Sequence, residues 1–324
     1  GVRINFIARE GGNQYQGTIF GSFANDSFQG TNIGDDLLAR NPALVNAGGI
    51  DQNWDFNPGI GGPIKRDTLW FFASGRYQGA YLFAPGMFYN QNANNPARWD
   101  YVADTSSPAS VEKVWKDAQL RLSWQASTKN KIGFTYTQQD FCACHDAITA
   151  TVAPESANDR RFPTQRVVLA DWTSPVTNRL LIEASGIHRV ERWGNMHLQS
   201  KGLELDPRMI GVVEQGGAIP TLRYRGATES TTGAGGTYNN SWNNNFHWRF
   251  HTSYITGAHA FKVGVNDAIG YHDNTTYVPN PVSYRFNNGV PNQITLRALP
   301  HTVKSHVDHD LGLFAQDKWT IGRL

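Results

Sequence analysis

Residues 118–126 read Ala-Gln-Leu-Arg-Leu-Ser-Trp-Gln-Ala, an unbroken alternation of apolar and polar side chains. Ala118, Leu120, Leu122, Trp124 and Ala126 fall on one side of an extended chain, and Gln119, Arg121, Ser123 and Gln125 on the other. Two kinds of sheet accept that pattern. A water-soluble sandwich turns the apolar side onto a second sheet. A transmembrane barrel turns it onto lipid and lines a wet lumen with the other side.

Working outward, the same period recurs on both sides. Residues 127–130 turn the chain, and residues 131–139 return with Ile132, Phe134 and Tyr136 opposite Gly133, Thr135 and Thr137. Further strands are expected over residues 1–10, 14–23, 54–64, 68–78, 164–172, 179–192, 245–254, 260–269 and 307–320. A hairpin is expected around Asn287-Asn288-Gly289 inside the last long connection. This makes about ten barrel-type strands with no convincing helix. The connections alternate in length: residues 24–53, 81–111, 140–163, 193–244 and 270–302 are long, and those between them are short turns. A sandwich has no reason to put every long loop at one end, whereas an outer-membrane barrel has short periplasmic turns and long external loops.

Composition agrees. The 324 residues carry a net charge of +2, so no basic or acidic excess points to nucleic acid. Charged residues are 17% of the chain, against roughly 25% in an average soluble domain, and aromatics reach 12%. Mean hydropathy is −0.47 and no apolar run reaches the ~18 residues of a membrane helix. Barrel strands hide their apolar residues at alternate positions, so a low mean does not argue against a membrane. No signal peptide opens the chain.

Three segments carry a family resemblance. Residues 1–17, Gly-Val-Arg-Ile-Asn-Phe-Ile-Ala-Arg-Glu-Gly-Gly-Asn-Gln-Tyr-Gln-Gly, resemble the junction where the plug of a TonB-dependent outer-membrane transporter ends and its barrel begins. Residues 57–72, Asn-Pro-Gly-Ile-Gly-Gly-Pro-Ile-Lys-Arg-Asp-Thr-Leu-Trp-Phe-Phe, resemble the second and third barrel strands of the Oar-like branch. Residues 313–319, Leu-Phe-Ala-Gln-Asp-Lys-Trp, resemble a further strand of that branch. The resemblance implies an all-β fold: part of an antiparallel up-and-down transmembrane β-barrel of about 22 strands. Residues 1–12 would end the plug and residues 13–324 would begin the barrel. It also implies outer-membrane localisation, uptake of an external substrate, and energising by a TonB–ExbB–ExbD complex through a region upstream of this chain. A secreted or surface all-β module binding glycans, or acting as an adhesin, is the alternative.

Candidate sites follow from the polar faces. Gln119, Arg121, Ser123 and Gln125 on one strand, and His247, Arg249 and His251 on another, are expected to face the lumen along a substrate path. Cys142 and Cys144 sit in an expected external loop. They lack the second ligand pair of a zinc site, so a local disulfide is the expectation. His306, Asp308 and Asp310 are expected on one face and His309 on the other. Trp115, Trp172 and Trp193 are expected to anchor at lipid headgroups rather than to stack on sugars. No nucleophile–base constellation, cofactor loop or metal motif is apparent, and Gly233–Gly236 lacks the Lys-Ser/Thr of a phosphate loop.

Overall fold

A computed structural model describes residues 9–40, 48–198, 206–228 and 237–322. The expected strand over residues 1–10 and the glycine-rich run 233–236 therefore lie wholly or mostly outside the described residues. In chain order the elements are β1 (Gln16–Asn25), the short helix α1 (Asp35–Arg40), β2 (Gly49–Lys65), β3 (Leu69–Asn90), β4 (Ala103–Ser127), β5 (Asn130–Asp146), β6 (Asn158–Pro175) and β7 (Leu180–Met196). Then come β8 (Gly211–Glu214), β9 (Leu222–Tyr224), β10 (Tyr238–Thr256), β11 (His259–Tyr277), β12 (Val282–Asn287), β13 (Val290–Leu296), β14 (His301–Val307) and β15 (Gly312–Trp319). No described helix is long and apolar enough to cross a membrane.

Eleven strands form one antiparallel sheet in the order β1-β2-β3-β4-β5-β6-β7-β10-β11, with β14 and β15 sharing the outer edge of β11. They fill ten places, because β14 and β15 are one strand interrupted by a bulge. Gly270 faces Val307, but Ala268 exchanges backbone hydrogen bonds with Asp310, so one extra residue sits between. The bulge overturns the expected shared face of His306, Asp308 and Asp310: His306 opposes Tyr271 and Asp310 opposes Ala268, on opposite sides of β11.

The register makes the two faces continuous across the sheet. Phe71, Leu122, Phe134, Ala170, Gly186 and Trp248 form one cross-strand row. Phe72, Arg121, Thr135, Leu169, Ile187 and His247 form the row behind it. On the first face Ile19, Phe23, Phe56, Ile60, Leu120, Trp124, Phe134, Phe246, Phe250, Tyr254 and Phe261 are all exposed. No second layer covers them among the described residues, so this side is built to meet hydrocarbon and the other to meet water. Phe134→Arg is therefore expected to cost about 2–4 kcal/mol, and Thr137→Arg on the inner face far less. Urea unfolding of the protein in lipid vesicles measures the difference.

The short turns all lie at one end. Gly257-Ala258 joins β10 to β11, and the positive φ of Gly257 (57°) suits a two-residue hairpin turn. At the other end the strands run further than their alternation predicts. β3 and β4 extend through most of the expected 81–111 loop, and β5 and β6 intrude into the 140–163 loop. Above the apolar band neither face needs to be greasy, so the period-two signal fades while pairing continues.

The packed core of the chain is at the long-loop end, built from the loops and from the upper ends of β3 and β4. Ala84, Met87, Ala109, Ile148, Ala153, Ala157, Leu198, Val212, Leu222, Tyr224 and Phe286 form one buried cluster. A mixed four-stranded sheet, β13-β12-β8-β9, roofs it, with β12 parallel to β8. The hairpin at Asn288-Gly289 is as expected, and both residues have positive φ. Their backbone amides donate to the Glu214 carboxylate at 2.8 and 2.9 Å. The long loops thus form a folded cap. β8 and β9, like α1, have no counterpart in the expected element list.

Candidate functional site

The wall facing the lumen carries three groups of side chains. The first is at the short-turn end. Residues 9–13, just before β1, cross the inner face there. Glu10 accepts from Arg121 Nη2 at 2.6 Å and from Lys131 Nζ at 2.8 Å. Asn13 donates to Asp67 at 2.6 Å, and its side-chain oxygen accepts from Trp70 Nε1 at 2.8 Å. Arg9 lies over the Phe72 ring at 5.3 Å. A Cβ on Gly11 would collide with the Phe71 carbonyl, so only glycine lets this strap lie so close to the wall. Arg121 also donates to Thr135 at 3.0 Å and has Asp171 3.7 Å away. Asp171 occupies the space that a side chain at Gly133 would take.

The second group is three strands away. His251 shares a 2.6 Å contact with Glu183, and Arg249 donates to Ser185 at 2.9 Å. His247 is exposed on the same face between Ile187 and Ala268. Glu191 gathers Gln165, Arg189 and Asn243. The expected residues thus lie in two separate patches. Arg121 belongs with the strap, and Gln119 and Ser123 flank it on the same face of β4. Gln125 is tied to its own turn through Ser127 O at 2.7 Å.

The third group was not foreseen. Trp115, Phe141, Phe162 and Trp193, one from each of β4 to β7, stand side by side with ring centroids 4.0, 5.6 and 6.0 Å apart. Trp115 lies six residues from Arg121 in an unbroken register, so it points inward. A bulge between Arg161 and Thr164 turns Phe162 inward as well. The expectation that Trp115 and Trp193 anchor in lipid is therefore corrected; both are on the lumen side. Trp172 pairs with Ile132 and Ala184 on the outer face. Lys113, Asp146, Arg160 and Gln165 border a groove of about 460 Å³ beside the row. Counting parity from Arg121 was the signal that would have found Trp115.

Cys142 and Cys144 are bonded to each other. They lie within β5 rather than in a loop, because β5 continues to Asp146. Behind them His145 and Asp159 are fully buried 3.3 Å apart, with Arg161 on the other oxygen of Asp159 at 2.8 Å.

In the cap, Arg225 is fully buried with its guanidinium 4.0 Å from the centre of the Trp99 ring. It donates to the carbonyls of Asn95 and Pro96 at 3.1 and 3.3 Å. Glu155 is buried beneath it and accepts from Asn90 at 2.7 Å, while its second oxygen has no partner. Burial pushes the Glu155 carboxyl above its ordinary value of 4.5. Burial also pushes the Tyr101 and Tyr224 hydroxyls up to about 12. A raised carboxyl favours the protonated form in the folded state. Its contribution to stability is complete below the ordinary value and is lost as pH rises through the raised one. The cap is accordingly expected to lose hydrogen-exchange protection as pH rises, after correction for intrinsic rates, and Glu155→Gln to remove that dependence.

Residues 78–323 match the family model described as an outer membrane beta barrel domain. The chain belongs to this outer-membrane β-barrel family. The barrel is 24% identical over 121 residues to the TonB-dependent transporter Oar of Myxococcus xanthus, a match covering 36% of this chain and 11% of that protein. It is similar in fold to the outer membrane transporter YddB from Escherichia coli, with a TM-score of 0.53 at 13% identity over 97% of this chain. That match covers 38% of the YddB chain, so this barrel sheet spans well under half the length of either protein. Its place is the outer membrane, with the apolar face toward lipid.

Proposed function

We propose that the barrel is part of a TonB-dependent transporter of the Oar-like branch, taking an external substrate across the outer membrane. On this reading residues 1–12 end the plug and residues 13–324 begin the barrel wall. A TonB–ExbB–ExbD complex acts through the plug. The observation that carries the reading is the strap at residues 9–13. A chain that reaches β1 from inside the wall, held by Glu10 and Asn13, suits a plug inside the lumen.

Above the strap, Arg249, His247 and His251 would line the substrate path, together with the aromatic row at Trp115, Phe141, Phe162 and Trp193. The cap would make the first external contact. Such a path offers hydrogen bonds and flat apolar surface, which suits the passage of a solute.

Comparing what the growth medium loses to wild-type cells, cells lacking the full-length protein, and cells lacking TonB tests the proposal. A compound whose uptake needs both proteins is the expected result. Normal uptake of every compound in the first deletion, with loss of surface attachment instead, would favour the adhesin reading.

A further inference from the structure

The cap contains a cavity of about 430 Å³ beside the buried cluster. Trp99, Tyr101, Leu222 and Tyr224 wall it, and Asp100 and Glu214 place two carboxylates in the lining. Leu222 and Tyr224 belong to the buried cluster, whereas Trp99 is 38% exposed, so the cavity opens outward from the core. No lysine, arginine or histidine lines it among the described residues. The Arg225 guanidinium is buried against the Trp99 ring and is committed to the carbonyls of Asn95 and Pro96.

Glu214 is fixed by backbone and not by a counter-charge. Its Oε1 accepts from the Gly216 and Asn288 amides at 3.0 and 2.8 Å, and its Oε2 from the Gly289 amide at 2.9 Å. A carboxylate has about four acceptor sites, so one is left over. Gly216, Gly217 and Gly289 line the cavity next to it. Gly217 and Gly289 have φ of 74° and 78°, which other residues adopt rarely, so no side chain from these turns stands between the carboxylate and the cavity. Asp100 is paired with Arg98 at 3.0 Å, with both side chains half exposed. Such a surface pair contributes little, and a ligand can replace it. Burial and then the Glu214 charge push the Tyr224 hydroxyl up to about 12, with Arg225 opposing them.

We propose that this cavity binds an organic cation with a compact apolar body, such as an arylalkyl ammonium, its charged group on Glu214 and Asp100 and its body against Trp99, Tyr101 and Leu222. Charge complementarity fixes the sign. A neutral or anionic molecule of the same shape would take the Glu214 carboxylate out of water without a counter-charge. The apolar wall fixes the body, because an inorganic cation would leave those rings wet. An ammonium on a carboxylate is a charge-assisted hydrogen bond, stronger than the contact a hydroxyl could make there. The inference needs only the cap and does not rest on the transport reading.

Titration calorimetry of the full-length protein in neutral detergent tests this with three probes of one shape: phenethylammonium, 2-phenylethanol and 3-phenylpropionate. Wild type is expected to bind the ammonium at least tenfold more tightly than the alcohol, and the carboxylate more weakly still. Asp100→Asn/Glu214→Gln keeps the acceptors and removes the charges, and should bring the ammonium down to the level of the alcohol. Ala218→Trp, which fills the cavity from its lining, should abolish binding of all three and serves as the blank for partition into detergent. Hydrogen-exchange protection of β8 and β12 shows whether each variant keeps its cap. Equal affinity of wild type for the three probes, or no saturable binding of the ammonium at millimolar concentration, overturns the proposal. So does an unchanged preference in the double variant with its cap protected. Uptake by cells plays no part in these readouts, so failure of the transport reading would leave the result standing, and the reverse.

Discussion

Arg121→Ala is expected to release the strap from the wall and to lower stability by about 3 kcal/mol. The Arg121 side chain is only 10% exposed and answers Glu10 and Asp171 together. Removing it leaves two carboxylates facing each other across a half-buried space, with only Lys131 to balance them. Deleting one partner of such a group costs more than the pair itself contributes. Glu10→Gln, which keeps an acceptor for Arg121 and Lys131, should cost clearly less. Two measurements separate the global from the local effect. Urea unfolding in lipid vesicles reports the stability loss. Tryptic cleavage after Arg9 reports the strap, and should speed up by about tenfold or more in the alanine variant. Unchanged cleavage would mean that Asn13, through Asp67 and Trp70, holds the strap without Arg121.

The second large effect is expected in the cap. Arg225→Ala removes a fully buried side chain, its contact with the Trp99 ring, and the donors to Asn95 O and Pro96 O. The lost packing and the orphaned carbonyls together should cost about 3 kcal/mol. Hydrogen exchange of the amides in β8, β9 and β12 should accelerate by about two orders of magnitude. Amides of β4 to β7 below the cap should keep their protection, because only the upper ends of β3 and β4, at Ala84, Met87 and Ala109, join that core. Loss of protection in both regions would show that cap and wall unfold as one unit.

The wall could be read from the sequence and the cap could not. Residues 118–139 declare their period because lipid on one side and water on the other select opposite side chains at every step. The ten strand positions and the end that bears the long loops follow from that alternation. Above Lys116 the selection stops, so the continuation of β3 to Asn90 and the start of β4 at Ala103 were hidden in apparent loops. Single-residue bulges leave no composition signal, and they decided the faces of Phe162 and Asp310. Trp115 and Trp193 were misplaced for a different reason. Tryptophan near a strand end fits a lipid interface by type, and only the register shows that these two point the other way. In the cap, Asn288-Gly289 stood out as a turn, but the pairing of β8 with β12 joins segments about 70 residues apart, which no local pattern announces.

Because the buried cluster around Val212 and Phe286 lies in the loops, the two halves of the molecule answer to different solvents. The cap is withdrawn from water when it folds and so carries the positive heat-capacity change of ordinary unfolding. The apolar side chains of the wall rest on hydrocarbon instead of on a packed protein interior. Calorimetry on protein embedded in lipid should therefore resolve an early transition with a marked baseline step from the cap. Cooling below the temperature of maximum stability should loosen the outer end of the protein while its bilayer-facing strands stay in place.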